Sequence, residues 1–218
     1  MDQPYRTLKE VVLGRRSVRR FLPDPVPEED VLEMLECARW APSDTNQQPW
    51  RFVVITSRDT IRRAEEICWE EIARLQERAV ALHRPDVAKK LKVFGRYAAV
   101  FAEAPVLVLL VGEPYRSRFT EEIFRPLFSD EEMASLAREE SLKSVSLAAQ
   151  NLLLAAHALG YGACAMTGPV ILAERRLAEL VGLDPEQFIV LAVALGRPAV
   201  QPEGPGRRPL DELVSWRR

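Results

Sequence analysis

A basic segment near the start of the chain has the residue types and spacing that suit a phosphate. Arg15, Ser17 and Arg19 alternate along the sequence, and alternate side chains of an extended segment point to the same side. That side would carry two guanidinium groups and a hydroxyl, which hold a phosphate through bidentate hydrogen bonds without a metal ion. The cluster alone is more typical of a solvated arginine surface, so a second feature has to decide between the two interpretations.

The second feature is a polar loop that reads PSDTNQQPW over residues 42–50. Its hydroxyl and amide groups can both donate and accept hydrogen bonds, which the edge of a polar heterocycle requires. The prolines at its two ends limit the conformational freedom that is lost when a ligand binds. A third basic element, Arg207 and Arg208, lies near the C-terminus.

Other chemistries find little support in the sequence. The G-x-G-x-x-A pattern at residues 160–165 follows a predicted helix and precedes a predicted strand, which reverses the order of a dinucleotide-binding turn. His83 and His157 stand alone, and no pair of cysteines has zinc-ligand spacing. We therefore expect no metal site and no Ser-His nucleophile, and we interpret His157 as a hydrogen-bonded core residue.

Hydrophobic periodicity predicts the elements that position these groups. Helices are predicted over residues 7–13, 27–38, 57–82, 87–102, 131–159 and 169–182, and strands over residues 50–56, 105–111, 161–166 and 188–195. Residues 112–130 look irregular, and their aromatic side chains are either ordinary core or a lid over a planar ligand. Strands that alternate with helices predict a sheet between helical layers, of the α/β or α+β class.

Composition bounds the remaining possibilities. The 218 residues are 47% hydrophobic and 28% charged, which predicts a folded chain, here taken as one domain over residues 1–218 with an extended tail from about residue 196. The net charge of -2 gives no basic excess for nucleic acid. Three scattered cysteines and an N-terminus without a signal sequence indicate a cytoplasmic protein with reduced thiols.

Residues 144–173 carry no charge, but their apolar part is too short to span a membrane. We therefore expect a helix that is buried on nearly all sides, in part by a subunit interface.

The two N-terminal motifs, R-R-S-V-R-R-F and A-P-S-D-T-N-Q-Q-P-W-R-F, resemble those of the FMN-dependent nitroreductase family. The charge-poor helix, the segment G-Y-G-A-C-A-M-T-G-P, the strand ending in L-G-R-P and the basic pair before P-L-D-E-L follow in the same order. The resemblance covers about residues 11–213. It implies an α+β fold with a central mixed β-sheet flanked by helices, and an intertwined homodimer with two FMN sites at its interface.

The resemblance also implies a role for individual residues. Arg15, Arg16, Ser17 and Arg19 would hold the phosphate, ribityl chain and pyrimidine edge of FMN, with Arg207 or Arg208 on the phosphate. Pro42, Ser43, Asn46 and Gln48 would approach the flavin from the other subunit, and Met166, Thr167 and Gly168 would lie near N5, the last two through backbone N–H groups. Lys89, Lys90, Lys92 and Arg96 are candidates for a lysine that assists the flavin in some members.

By the same resemblance, NAD(P)H would reduce FMN and leave, and a nitroaromatic, quinone or activated alkene would then take the electrons by a ping-pong hydride-transfer mechanism. The cofactor would carry the redox chemistry, so no catalytic acid–base pair is needed. Three alternatives stay open. The chain could use reduced FMN for reductive dehalogenation or flavin cleavage, could bind FMN or another nucleotide without catalysis, or could be a helical interaction protein without a cofactor.

Overall fold

A four-stranded sheet forms the centre of the protein, seen here in a computed structural model that describes residues 3–217. The strands are β1 (Trp50–Ile55), β2 (Val106–Gly112), β3 (Gly162–Met166) and β4 (Phe188–Gly196), in the order β1-β2-β4-β3. The helices are α1 (Gln3–Gly14), α2 (Glu28–Arg39), α3 (Arg58–Ala81), α4 (Pro85–Ala98), α5 (Arg118–Phe124), α6 (Asp130–Ala158) and α7 (Gly168–Leu180). Short 3₁₀ turns cover Asp44–Asn46, Val100–Glu103 and Leu210–Glu212.

The three strand pairs are all antiparallel. Within the described residues, the parallel part of the expected mixed sheet is a single bridge between Ser17 and Ala163 at the free edge of β3. An antiparallel bridge between Phe21 and Pro198 then joins the same N-terminal segment to the start of the tail. The arginine segment is therefore attached to one edge of the sheet.

Both faces of the sheet are covered, which explains why β2 is buried along its whole length. Leu107 and Leu109 of β2 belong to a core with α3 and α7, whereas Val108 and Leu110 belong to a core with α2 and α6. The alternation follows from the two-residue period of a strand. The predicted architecture, a sheet between helical layers, is confirmed.

Several helix boundaries follow from local chemistry. The Ser57 hydroxyl accepts a hydrogen bond from the Thr60 N–H at the start of α3 (3.3 Å). Gly160 and Gly182 have φ angles of +81° and +68° directly after α6 and α7, a conformation that glycine adopts without a steric cost. The predicted ends of these two helices are therefore confirmed.

Three expectations needed correction. Residues 118–124, expected to be irregular, form α5, with Ser117 as its N-cap. The helix predicted over residues 87–102 ends at Ala98 and continues as a 3₁₀ turn, and α1 begins at Gln3 rather than at residue 7. The charge-poor helix, expected to be covered in part by a subunit interface, leaves Leu147 48% exposed in the single chain. Within residues 3–217, no helix is long and apolar enough to cross a membrane.

Candidate functional site

The arginine segment lies against the edge of β3 and is held there by its apolar residues. The Val18 N–H donates to the Ala163 carbonyl (3.0 Å), and Val18 and Phe21 are buried in the core beneath. Arg15 is half-buried, and within residues 3–217 its guanidinium has no acidic partner and no hydrogen bond. Arg19 is exposed; its Nη1 makes a long contact with the Ser17 carbonyl (3.5 Å), and its guanidinium also interacts with the Cys164 thiol. Two guanidinium groups are thus available to an anion at this edge.

Arg16, which is also part of the predicted phosphate site, has a structural role at the end of α1. Its Nη1 donates to the Leu13 carbonyl (2.6 Å) and to the Arg15 carbonyl (2.9 Å), which satisfies acceptors left open where α1 ends. The tail passes directly over this side chain, since a Cβ added to Gly204 would lie 2.6 Å from Arg16 Nε. The contact brings the C-terminal segment to the predicted phosphate site.

The electrostatic effect of these arginines is visible on His157. The pKa of His157 is lowered, first by partial burial and then by the positive charges of Arg15 and Arg16. Its ring packs against Gly14, where an added Cβ would lie 2.7 Å from Nε2. It is only half-buried, and within the described residues it makes no side-chain hydrogen bond, so the expectation of a hydrogen-bonded core histidine is wrong. The site has the positive potential that favours an anion.

Thr167 and Gly168 form the turn between β3 and α7. The first N–H groups of a helix have no partner within the helix, and they lie at the positive end of its dipole. Gly168 sits tightly against α4, because an added Cβ would lie 3.0 Å from Ala98 Cα. The Met166 side chain is buried in the core, so only its backbone is available to a ligand. The turn can therefore present backbone N–H groups and the hydroxyl of the exposed Thr167.

The polar loop has an unusual backbone. Thr45, Asn46 and Gln48 have φ angles of +45°, +55° and +49°, which cost non-glycine residues roughly 1–3 kcal/mol each and tend to occur at functional sites. The Ser43 hydroxyl accepts a hydrogen bond from the Gln48 N–H (2.9 Å) and stabilises the turn. The side chains of Asn46 and Gln48 are exposed, as is Pro42. The loop thus presents amides outward, as its composition predicts.

The arginine segment and the polar loop lie far apart within one chain. Ser17 bridges β3, whereas the loop leads into β1 at the opposite edge of the sheet. Ala163 is aligned with Leu195 of β4, and Trp50 is aligned through β2 with Phe188 at the other end of that strand. Seven residues at about 3.3 Å and four strand spacings of about 4.8 Å, one of them from Ser17 to β3, give a separation of about 30 Å. One chain alone does not bring the two predicted halves of the site together.

The two arginines of the tail differ in their surroundings. Arg208 lies 3.7 Å from a carboxylate oxygen of Glu212, whereas Arg207 donates only to the backbone carbonyls of Pro205 and Gly206, both at 3.2 Å. Of the pair Arg207 and Arg208, Arg207 is therefore the one without an acidic partner among the described residues. The basic side chains considered as flavin helpers are all exposed on α4: Lys89, Lys90, Lys92 and Arg96.

Sequence reasoning missed one residue of the loop's surroundings, Tyr115. This side chain is 4% exposed, and its hydroxyl lies 3.2 Å from Thr45 Oγ1 and 3.4 Å from Thr120 Oγ1. It therefore connects the polar loop to α5. Its position in the aromatic segment that precedes α5 was the available signal, but nothing in the sequence pairs it with residue 45.

The thiols do not contribute a nucleophile to these sites. Burial raises the pKa of Cys68 to about 12 and also raises the pKa of Cys164, so both stay protonated near neutral pH. Cys37 is exposed, whereas Cys68 and Cys164 are buried. Within residues 3–217, no group of three or more side chains is arranged to hold a metal ion.

Comparison with known proteins gives a consistent result. The model of the Nitroreductase family matches residues 12–197. A protein of Thermus thermophilus named NADH dehydrogenase is 30% identical over 98% of both chains. Iodotyrosine deiodinase of Hydra vulgaris is 29% identical over 92% of this chain and 69% of its own. The crystal structure of a BluB-like flavoprotein from Clostridium difficile 630 superposes with a TM-score of 0.86 and 28% identity, and covers 97% of this chain and 99% of that one.

Proposed function

Because this chain belongs to the Nitroreductase family, a family of oxidoreductases, we propose that it binds FMN and uses NAD(P)H to reduce nitroaromatics, quinones or similar small acceptors. One observation carries the proposal. The arginine segment, with the half-buried Arg15 that has no acidic partner among the described residues, pairs through Ser17 with β3, the edge strand that leads into the N-terminus of α7. This edge offers an anion site at one end and backbone donors at the other.

The phosphate end of FMN fits the arginine segment. Arg15 and Arg19 supply guanidinium groups, and Ser17 supplies a hydroxyl between them. The tail reaches the same place over Arg16, and Arg207, rather than the ion-paired Arg208, is the tail residue that we assign to the phosphate. Because charge-assisted hydrogen bonds to phosphate are the strongest of their kind, these groups account for tight binding without a metal ion.

The turn at Thr167 and Gly168 fits the ring end. It follows Ala163 by four to five residues of extended chain, about 13 Å along β3, a separation that an extended ligand with a phosphate and a flat ring can span. When bound, FMN would supply the redox chemistry, receiving electrons from NAD(P)H and passing them to the acceptor in alternation. The backbone N–H groups of the turn would orient the ring, and the helix dipole would stabilise negative charge there.

The second half of the site, with Ser43, Asn46 and Gln48, is proposed to come from a partner subunit. Two observations support a homodimer. The polar loop lies about 30 Å from the arginine segment in its own chain. A groove between α1, α2 and α6 is lined by apolar side chains that include Leu8, Trp40 and Leu154, and the neighbouring face of α6 exposes Leu147. A second copy would cover these surfaces and complete the site.

We also propose that the chain is a single domain that works in the cytoplasm. Both hydrophobic cores pack on the same sheet, so neither half of the chain has a core of its own. The three cysteines are free thiols, which suits a reducing compartment.

The test is an absorption spectrum of the purified full-length protein, followed by an anaerobic titration with NADH and NADPH. We expect a flavin band that bleaches on addition of a reduced nicotinamide nucleotide and recovers when a nitroaromatic or a quinone is added. Flavin that stays oxidised with both nucleotides would indicate a binding protein without catalysis. A protein that takes up no added FMN would indicate an interaction protein and would refute the proposal.

Reductive dehalogenation is the second candidate, because one relative that spans most of this chain is named iodotyrosine deiodinase. The same titration separates the two functions when iodotyrosine is offered to the reduced protein in place of the nitroaromatic. Release of one iodide for each flavin that is reoxidised would favour the dehalogenase. Reoxidation by the nitroaromatic or quinone alone would favour the first proposal.

A further inference from the structure

The hydroxyl of Tyr115 is the point at which three elements meet. Tyr115 follows β2, and its N–H donates to the Ala137 carbonyl of α6 (3.2 Å), which anchors its backbone. Its hydroxyl lies within hydrogen-bond distance of Thr45 in the polar loop and of Thr120 in α5. The side chain is 4% exposed, so the rest of the ring is held by packing. A rigid buried phenol thus touches the tip of an otherwise exposed loop.

That loop needs support from outside. Thr45, Asn46 and Gln48 are in the left-handed region, and a β-branched residue such as Thr45 disfavours that region most. The contacts within the loop, from the Asn46 N–H to the Ser43 carbonyl and from the Gln48 N–H to the Ser43 hydroxyl, join only its own residues. Its C-terminal end is bound to α6 through Ser141, whose hydroxyl donates to the Pro49 carbonyl (3.3 Å). Among the described residues, the side-chain hydrogen bond that joins the tip to the rest of the protein is the one between Thr45 and Tyr115.

We infer that Tyr115 is a positioning residue that holds the polar loop in the conformation in which its amides meet the flavin. The inference rests on the proposed function, since it assigns the loop to the FMN site. Tyr115 acts through Thr45 and need not touch the cofactor itself. A loop that is already ordered loses less conformational entropy on binding, so its ligand binds more tightly.

The experiment compares Tyr115→Phe with Tyr161→Phe in the full-length protein. Tyr161 is a matched control, because it is also 4% exposed and its hydroxyl also bonds a side chain of another element, Asp30 of α2. Two readouts are needed: the Kd for FMN by fluorescence titration, and the hydrogen exchange of the amides of residues 43–48 without FMN. Thr45→Ala, Thr45→Ser and the double variant of Tyr115→Phe with Thr45→Ala complete the set.

We expect Tyr115→Phe to weaken FMN binding about three- to tenfold, the range of one net hydrogen bond, and to speed loop exchange by a similar factor. Thr45→Ala should give the same loss, the double variant no further loss, and Thr45→Ser should retain wild-type behaviour. Tyr161→Phe should lower the melting temperature but change neither readout. Exchange and affinity that stay at wild-type values in Tyr115→Phe, or losses that multiply in the double variant, would overturn the inference. Absence of FMN binding by the wild type would refute the proposed function only, because the exchange comparison still decides whether Tyr115 holds the loop.

Discussion

Replacing Arg15 by alanine tests the proposed phosphate site most directly. In the described part of the chain, the Arg15 guanidinium makes no ion pair and no hydrogen bond, so the substitution breaks no polar contact of the folded chain. It also removes one of the two positive charges that lower the pKa of His157. We therefore expect the free energy of unfolding to change by no more than about 0.5 kcal/mol, as at ordinary surface positions.

The effect on FMN should be much larger than the effect on folding. A hydrogen bond between a charged donor and a phosphate contributes about 1.5–3 kcal/mol. At about 1.4 kcal/mol for each factor of ten, the Kd for FMN should rise about 10- to 150-fold in Arg15→Ala. Arg15→Lys should fall between, because lysine keeps the charge but loses the planar fork.

Arg20→Ala is the matched control, because Arg20 lies in the same basic segment, is exposed and is not assigned to the site. It lowers the net charge by the same amount but should change the Kd for FMN less than about threefold, as expected for a screened charge at a distance. Fluorescence titration at fixed ionic strength gives both constants, and urea unfolding gives the stability. Equal Kd values for Arg15→Ala and Arg20→Ala would show that only the overall charge matters and would refute the assignment.

Three further predictions concern pH, packing and assembly. The pKa of His157 is lowered in the folded state, so the protein should have its full stability above the ordinary histidine pKa of about 6.5. Its free energy of unfolding should decrease as the pH falls from about 6.5 towards the lowered pKa of the folded state. His157→Gln should flatten this dependence in urea unfolding. Gly168→Ala should destabilise the fold by about 1–3 kcal/mol, because its Cβ would lie 3.0 Å from Ala98, whereas Gly206→Ala, with open space around it, should have almost no effect. Leu147→Glu places a charge on the exposed face of α6 and should convert the proposed homodimer to a monomer that loses FMN, as seen by light scattering; a monomer that keeps its flavin would contradict the shared site.

The sheet and its two layers could be predicted because their signals are local. The run of apolar residues in β2 is continuous, as it must be for a strand covered on both faces, and Gly160 and Gly182 mark the helix ends that require a positive φ. α5 escaped prediction because seven residues are too few for a clear helical period, and its Phe119 is 68% exposed rather than part of a core. The shortness of α5, rather than its composition, therefore explains why the sequence did not predict this helix.

The candidate site was predictable in its chemistry but not in its geometry. Residue types predicted an anion site at the arginines and hydrogen-bonding groups at the amides, and only the polar loop and the family motifs together favoured this interpretation over a solvated arginine surface. The left-handed backbone at Thr45 could not be predicted, since threonine disfavours it and only contacts from elsewhere stabilise it. The difference between Arg207 and Arg208 could not be predicted either, because it depends on the ion pair that Glu212 makes with Arg208.

The topology of the sheet explains why such a site calls for two chains. The arginine segment pairs with β3 and the polar loop enters β1, and these strands are the two edges of the sheet. Helices cover both faces of the sheet between them, so no bend of a single chain could bring the edges together without opening a core. A second copy would place its polar loop beside the arginine segment of the first chain, and the hydrophobic cores of both chains would stay closed. The exposed apolar side chains of α6 and of the groove beside it lie where such a neighbour would pack.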